Sequence, residues 1–179
     1  VVDKMYWPSA AITFEYDNKL MLNSYVESGY KAAVINEDNK HAIDLFLAHI
    51  NNVLSDEREQ RILLDWLAYI VQNAGKRVNW AILLQGAQGT GKSYFAKVLE
   101  WVLGSNAKSL DPSALGERFT GWAHGSVVNI VEEIRIKGDD KWRIMDRLKP
   151  FITNSMIQIE EKGRDHRTVP NFTNYLLLT

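Results

Sequence analysis

An eight-residue segment rich in glycine constrains the fold of this 179-residue chain more than any other feature. From Gly86 to Ser93 it matches the pattern G-x-x-x-x-G-K-S, the P-loop. Glycines let a backbone curl tightly and aim successive N–H groups at phosphate oxygens. The pattern predicts that Lys92 contacts the β- and γ-phosphates and that Ser93 binds Mg²⁺. The residues expected to hold ATP are Gly86, Gln88, Gly89, Thr90, Gly91, Lys92, Ser93 and Tyr94.

The sequence around this loop has the pattern of a strand followed by a helix. Residues 80–85 form an apolar run of strand length, typical of a strand buried in a parallel sheet. Apolar residues recur at helical spacing after the loop, up to Leu103, and Gly104 follows where a helix would end. The motif requires this context, so we predict an α/β fold that binds a nucleotide. A glycine-rich turn that binds nothing is the alternative.

Composition and charge exclude several classes of protein. The chain has no cysteine, which excludes disulfides and thiolate metal sites. Its formal net charge is −1, so contact with nucleic acid would need a local basic cluster. No apolar run is long enough to span a membrane and no signal peptide is evident, so we expect a cytoplasmic protein without a membrane partner.

The residues before the loop unit are predicted to form a mainly helical segment. Residues 1–40 show no persistent period and are interpreted as short strands or loop. Helices are predicted over residues 41–54 and from Asp56, which resembles the start of a capping box, to Gln72. His49 lies on the apolar face of the first helix, and we interpret it as a half-buried packing residue rather than a ligand.

We divide the chain into two parts on this basis. Residues 1–75 are the N-terminal segment, which could serve as an oligomerisation collar. Residues 76–179 are the nucleotide-binding core.

Two acidic residues follow a second apolar strand, predicted over residues 127–131. An ATPase needs a carboxylate near the metal and a group that positions the attacking water. We assign Glu132 to the Mg²⁺ site with Ser93, and Glu133 to the attacking water. Together with Lys92 these are the candidate catalytic residues. A solvated strand end is the alternative that the residues alone leave open.

The last third of the chain predicts a helix and a β-hairpin. The helix is expected over residues 140–148, with Pro150 ending or kinking it. Ile157 and Ile159 alternate with polar residues, as in a half-buried strand. Residues 160–167 are charged and contain a glycine, which indicates a hairpin tip before a return strand.

In this order the motifs resemble those of superfamily 3 helicases, the ring-forming AAA+ ATPases of viruses and phages. The resemblance covers residues 80–179, while the N-terminal half resembles, less specifically, the region before the helicase core of phage and plasmid primase-helicases. It implies an AAA+-like P-loop core with a parallel sheet and an inserted β-hairpin, assembled into a homo-oligomeric ring of six subunits.

The resemblance also implies roles for basic residues. Lys162 would contact single-stranded DNA in the channel of the ring, and its neighbours Arg164, His166 and Arg167 could help. Acidic residues adjoin them, so a solvated hairpin tip of mixed charge is the alternative. Lys149 falls where a basic residue of the family reaches the nucleotide of the adjacent subunit.

The function implied by the resemblance is that of an ATP-dependent DNA helicase domain, encoded by a phage or prophage and acting in a bacterial host cell. Two alternatives stay open: a P-loop ATPase without helicase activity, and a nucleotide-dependent DNA-binding assembly module. The family carries an Asn directly after the strand that ends here at Thr179, and an arginine finger later. Since neither lies within these residues, we expect weak or no ATP hydrolysis by the chain alone.

Overall fold

A computed structural model describes residues 3–132, 140–163 and 165–179, with the side chains of residues 140–143 left out. The helices of this part of the chain are α1 (Glu37–Val53), α2 (Glu57–Gln72), α3 (Ser93–Leu103) and α4 (Asp140–Thr153). The strands are β1 (Asp3–Met5), β2 (Thr13–Tyr16), β3 (Lys19–Asn23), β4 (Ile82–Leu84), β5 (Ala107–Leu110), β6 (Val128–Val131), β7 (Met156–Ile159), β8 (Arg167–Pro170) and β9 (Asn174–Leu178). Short 3₁₀ helices span Gly104–Asn106, Pro112–Gly116 and Gly121–Ala123.

The central sheet is parallel and has the strand order β4-β9-β6-β5. In β6 and β9 every residue is buried, because packed elements cover both faces of the sheet. Leu84 of β4 is aligned with Leu178 of β9, and Val131 of β6 is aligned with Leu177. The carboxyl ends of the three strands therefore meet at one edge. The predicted α/β fold with a parallel sheet is confirmed.

The N-terminal segment contains a small sheet before its two helices. Strands β1, β3 and β2 pair in that order within the region expected to be short strands or loop. Helix α1 begins four residues earlier than predicted, because the side-chain oxygens of Asn36 and Asn39 each accept the other residue's backbone N–H, at 3.0 and 2.9 Å. Helix α2 begins after Asp56, whose carboxylate accepts the N–H of Glu59.

One apolar cluster joins helix α2 to the central sheet and to α3. It contains Leu63 and Ile70 of α2 together with Phe95 of α3 and Ile130 of β6. These residues come from both sides of the boundary predicted between residues 75 and 76. The division into two segments stays a prediction about how the chain is organised.

Helix α4 corrects one prediction. The helix was predicted over residues 140–148, with Pro150 ending or kinking it, but it continues through Pro150 to Thr153, so the proline does not end it. The proline lies in the last turn, where it removes one intrahelical donor. The turn is held instead by Arg77, whose guanidinium donates to the carbonyls of Ile152 at 2.6 Å and Thr153 at 2.9 Å, and by the burial of Phe151.

The predicted β-hairpin is present as antiparallel strands β7 and β8. Ile157 pairs with Val169 and Ile159 with Arg167. Ile157 and Ile159 are buried, whereas Met156 and Gln158, each preceding one of them, are exposed. This confirms the predicted alternation. No helix in residues 3–132, 140–163 or 165–179 is both long and apolar enough to cross a membrane.

Replacement of a core leucine of β9 tests the central position of this strand. Leu176 is 0% exposed, and Leu176→Ala is expected to lower the free energy of unfolding by about 3 kcal/mol, because it leaves a cavity between β4 and β6. Urea denaturation at 25 °C measures this. Leu83 of the edge strand β4 is 42% exposed, so Leu83→Ala should cost less than about 1 kcal/mol. Equal losses would contradict the strand order.

Candidate functional site

The glycine-rich loop leaves β4 and leads directly into α3, which begins at Ser93. Gly89 and Gly91 have φ angles of +81° and +90°, in the left-handed region that side chains disfavour. These two glycines let the chain reverse within a few residues. The strand, loop and helix therefore follow each other in the order that the sequence predicts.

The ammonium group of Lys92 lies inside the loop. It donates to the carbonyl oxygens of Gly86 at 2.9 Å and Ala87 at 2.6 Å, and to the hydroxyl of Thr90 at 3.1 Å. Lys92 is only 9% exposed, and these three partners among the described residues are neutral oxygens. A buried ammonium with neutral partners keeps its positive charge uncompensated and favours an anion.

Backbone donors of the loop add to this positive potential. The amide N–H groups of Gly89, Gly91 and Lys92 find no acceptor in the part of the chain that the structure describes. Successive unpaired amides of this kind form an anion-binding concavity, and the first turn of α3 follows directly. The loop therefore fits phosphate groups. Gln88, also predicted to bind the nucleotide, is exposed at its outer turn.

Ser93 and Glu132 meet at the edge of the sheet, 39 residues apart in sequence. The Ser93 hydroxyl donates to the Glu132 carboxylate at 2.7 Å. The contact follows from the parallel sheet, since the loop leaves the end of β4 and Glu132 follows the end of β6. A hydroxyl and a carboxylate are oxygen ligands that suit Mg²⁺, which takes its remaining ligands from phosphates and water.

Ser93 and Glu132 are the two residues predicted to bind Mg²⁺, and the structure brings them together. No group of three or more acidic or histidine side chains converges in residues 3–132, 140–163 and 165–179. Glu133, predicted to position the attacking water, lies outside the described residues. Thr179 lies at the same sheet edge, where its N–H donates to the carbonyl of Leu84 at 3.1 Å.

The basic residues predicted to bind DNA differ in their surroundings. Lys162 is exposed at the turn between β7 and β8. His166 Nε2 lies 3.6 Å from a carboxylate oxygen of Glu160, and Arg167 donates to Glu161 at 3.0 Å. Arg164 lies outside the described residues, and Lys149 is exposed on α4.

The base of the hairpin is fixed to the segment before β6. The N–H of Thr120 donates to the carbonyl of Glu160 at 2.9 Å, and the N–H of Glu160 donates to the Thr120 hydroxyl at 2.9 Å. The guanidinium of Arg118 pairs with the Glu160 carboxylate. The hairpin base is thus held by backbone as well as side-chain bonds, while Lys162 stays free to contact solvent.

A contact between two half-buried basic residues near the hairpin, Lys108 and His124, was not predicted. Lys108 of β5 donates to the carbonyl of His124 at 2.7 Å. Burial, together with the positive charges of Arg167 and Lys108, lowers the pKa of His124 to about 4. His124 is therefore neutral at pH 7. No local sequence pattern relates these residues, which lie on different elements.

The contact of His49 with the glycine-rich loop was also not predicted from the sequence. As predicted, its ring is half-buried and packs against other side chains, those of Tyr94 and Phe95. Its Nε2 also lies 2.9 Å from the carbonyl oxygen of Gly91. The two residues are 42 positions apart, so no periodicity could have indicated the contact.

Residues 84–179 match the sequence model of a protein family described as "Family of unknown function (DUF5906)". The chain belongs to this family. The matched range of this chain includes the loop, Glu132, the hairpin and β9, but not His49.

A curated relative of this DUF5906 protein is the DNA primase-polymerase of Nitratiruptor phage NrS-1. It is 23% identical over 124 residues, which are 68% of this chain and 17% of the phage protein. The chain thus spans less than a fifth of the length of that relative. This match shows similarity to a phage replication protein, and it does not single out a superfamily 3 helicase.

Solved structures of the C-terminal region of NrS-1 share the fold. Its apo structure covering residues 305–718 has a TM-score of 0.80 and 19% identity, over 99% of this chain and 42% of that chain. An A form apo structure of the same region gives the same values. At this identity the likeness shows the fold alone.

The two left-handed glycines of the loop give a matched test of its geometry. A Cβ on Gly89 would meet nothing within 4 Å, whereas one on Gly91 would lie 2.4 Å from Cε1 of His49. Gly89→Ala should cost about 1–2 kcal/mol for its positive φ, and Gly91→Ala clearly more. Thermal and urea unfolding measure both. A His49→Ala background should recover part of the Gly91→Ala loss, and equal losses at both positions would contradict the contact.

Proposed function

We propose that this chain is the ATP- and Mg²⁺-binding unit of a phage DNA replication protein acting in the cytoplasm of a bacterial host. The observation that carries the proposal is the 2.7 Å contact between the Ser93 hydroxyl and the Glu132 carboxylate. It brings the start of the loop helix to an acidic strand end, which is what a metal-bound triphosphate requires.

The residues of the loop provide the binding chemistry. Lys92, held inside the loop by neutral oxygens, can exchange these bonds for phosphate oxygens without leaving a carboxylate unpaired. Ser93 and Glu132 supply the two protein ligands for the ion. Bound MgATP would supply the phosphoanhydride bond whose cleavage does work. Glu133 is the residue we propose to position the attacking water, on the strength of its place after Glu132 in the sequence.

The finer proposal is an ATP-driven helicase that works as a ring of six copies on single-stranded DNA. The similarity to a phage primase-polymerase supports a role in DNA replication. The exposed Lys162 at the tip of a hairpin supports contact with a DNA backbone, which a motor must grip without regard to sequence. Lys149 is the residue we propose to reach the nucleotide of the adjacent subunit.

Removal of the loop lysine tests nucleotide binding. Lys92→Ala should weaken the binding of a fluorescent ATP analogue at least about tenfold, because it removes a charge-assisted contact to phosphate. Equilibrium titration with the 179-residue chain measures this. Lys97 of α3 pairs with Glu100 on the surface, and Lys97→Ala is the control that should bind as the unaltered chain does. Undetectable binding by the unaltered chain would refute the proposal.

The same titration tests the metal ligands. Ser93→Ala and Glu132→Gln should reduce the gain in nucleotide affinity on addition of Mg²⁺, while binding without metal changes little. Loss of binding in both conditions would instead indicate a structural role for the 2.7 Å contact.

Replacement of the hairpin-tip lysine tests the DNA contact. Lys162→Ala should weaken binding to single-stranded oligonucleotides and reduce the slope of log K against log salt by about 0.7, the loss of one phosphate contact. Fluorescence anisotropy at several salt concentrations measures this. Lys19, exposed in the N-terminal sheet, is the control. Nucleotide binding without any binding of DNA would favour a nucleotide-dependent assembly module.

A further inference from the structure

His49 of α1 reaches the glycine-rich loop from outside the range of the family match. Its Nε2 lies 2.9 Å from the carbonyl oxygen of Gly91. A carbonyl can only accept, so Nε2 must carry a proton and donate. The centroid of the imidazole ring lies 4.7 Å from that of Tyr94 and 5.3 Å from that of Phe95. Packing therefore orients the ring, and one hydrogen bond ties it to the loop.

The loop is shaped to accept this ring. A Cβ on Gly91 would lie 2.4 Å from Cε1 of His49, closer than a Cβ approaches other side-chain atoms, and 3.1 Å from Nε2. Gly91 also has a φ of +90°. The missing side chain thus serves two needs, the left-handed backbone and the space that the imidazole fills.

Two hydrogen bonds fix the direction of one peptide group: the carbonyl of Gly91 accepts from Nε2 of His49 and also from the N–H of Tyr94, at 3.1 Å. In a planar trans peptide, the C=O of Gly91 and the N–H of Lys92 point in opposite directions. Because the carbonyl is directed at His49, the N–H of Lys92 is directed away from it. No acceptor among residues 3–132, 140–163 and 165–179 takes up this N–H. It remains available to a ligand.

We propose that His49 is a positioning residue for the nucleotide-binding loop. Its hydrogen bond holds the peptide between Gly91 and Lys92 in the orientation that presents the Lys92 amide to a phosphate oxygen. The inference rests on the proposed function and deepens it, because it makes helix α1 part of the nucleotide site. The N-terminal segment then influences nucleotide affinity through this hydrogen bond.

Two replacements separate the hydrogen bond from ring packing. His49→Phe keeps a ring of similar size and removes the donor, whereas His49→Gln places an amide N–H near the position of Nε2 and removes the ring. His41, exposed on the same helix, provides the control His41→Phe. Two quantities are measured on the 179-residue chain: the Kd of a fluorescent ATP analogue with Mg²⁺, and the ¹⁵N order parameters of the Gly91 and Lys92 amides without nucleotide.

His49→Phe should raise the Kd about fivefold and lower both order parameters, as expected for the loss of one ordering hydrogen bond. His49→Gln should stay within about twofold of the unaltered chain, and His41→Phe should change nothing. The reverse ranking, with His49→Gln impaired and His49→Phe intact, would overturn the proposal in favour of ring packing alone. Thermal unfolding shows whether each variant is folded. If His49→Phe is not folded, equal order parameters in His49→Gln and the unaltered chain support the positioning role, and lower order parameters in His49→Gln overturn it.

The relaxation measurement needs no nucleotide. If the unaltered chain bound no nucleotide, the proposed function would fail, yet the order parameters would still show whether His49 holds the loop. Unchanged order parameters in His49→Phe would refute the positioning role whatever the outcome of the titration.

Discussion

The in-register pairing of β9 between β4 and β6 is the constraint on which the candidate site depends. Leu84, Leu178 and the residues beside them end their strands at the same level, so the loop after β4 and the carboxylate after β6 must meet. A shift of one residue in either pairing would move each side chain of a buried strand to the opposite face of the sheet and disrupt the packing on both faces. The contact between Ser93 and Glu132 is therefore a consequence of core packing.

The second feature on which the candidate site depends is the positive charge of Lys92. Lys92 is nearly buried, yet its partners within the described residues are two carbonyls and a hydroxyl. Moving an ammonium out of water costs free energy that neutral oxygens offset only in part. An anion in the loop would lower that cost. This unpaired charge supports the proposal that phosphate binds beside the oxygen atoms of Ser93 and Glu132.

Local patterns predicted the elements whose residues carry the pattern themselves. The apolar run before Gly86, the helical spacing after it and the alternation around Ile157 all appear in the structure as expected. Strand β5 was missed because Ala107–Leu110 contains a lysine and a serine and gives no apolar run. The end of α4 was misplaced because Arg77, 75 residues earlier, supports the turn after Pro150. Contacts of this kind, like that of His49 with Gly91, have no signature in a single sequence.

The described elements also connect the edge of the sheet to the hairpin. Strand β6, which precedes Glu132, pairs with β5, and β5 leads through the 3₁₀ helix Pro112–Gly116 to Thr120. Thr120 holds the hairpin base, and Arg147 of α4 donates to the carbonyl of Gly116 at 3.0 Å. At the hairpin base Glu160 pairs with Arg118 and Glu161 pairs with Arg167, whereas Lys162 is exposed at the tip. The pairing of β6 with β5, the chain from β5 to Thr120 and the hydrogen bonds of Thr120 with Glu160 therefore connect the sheet edge that carries Glu132 to the base of the hairpin.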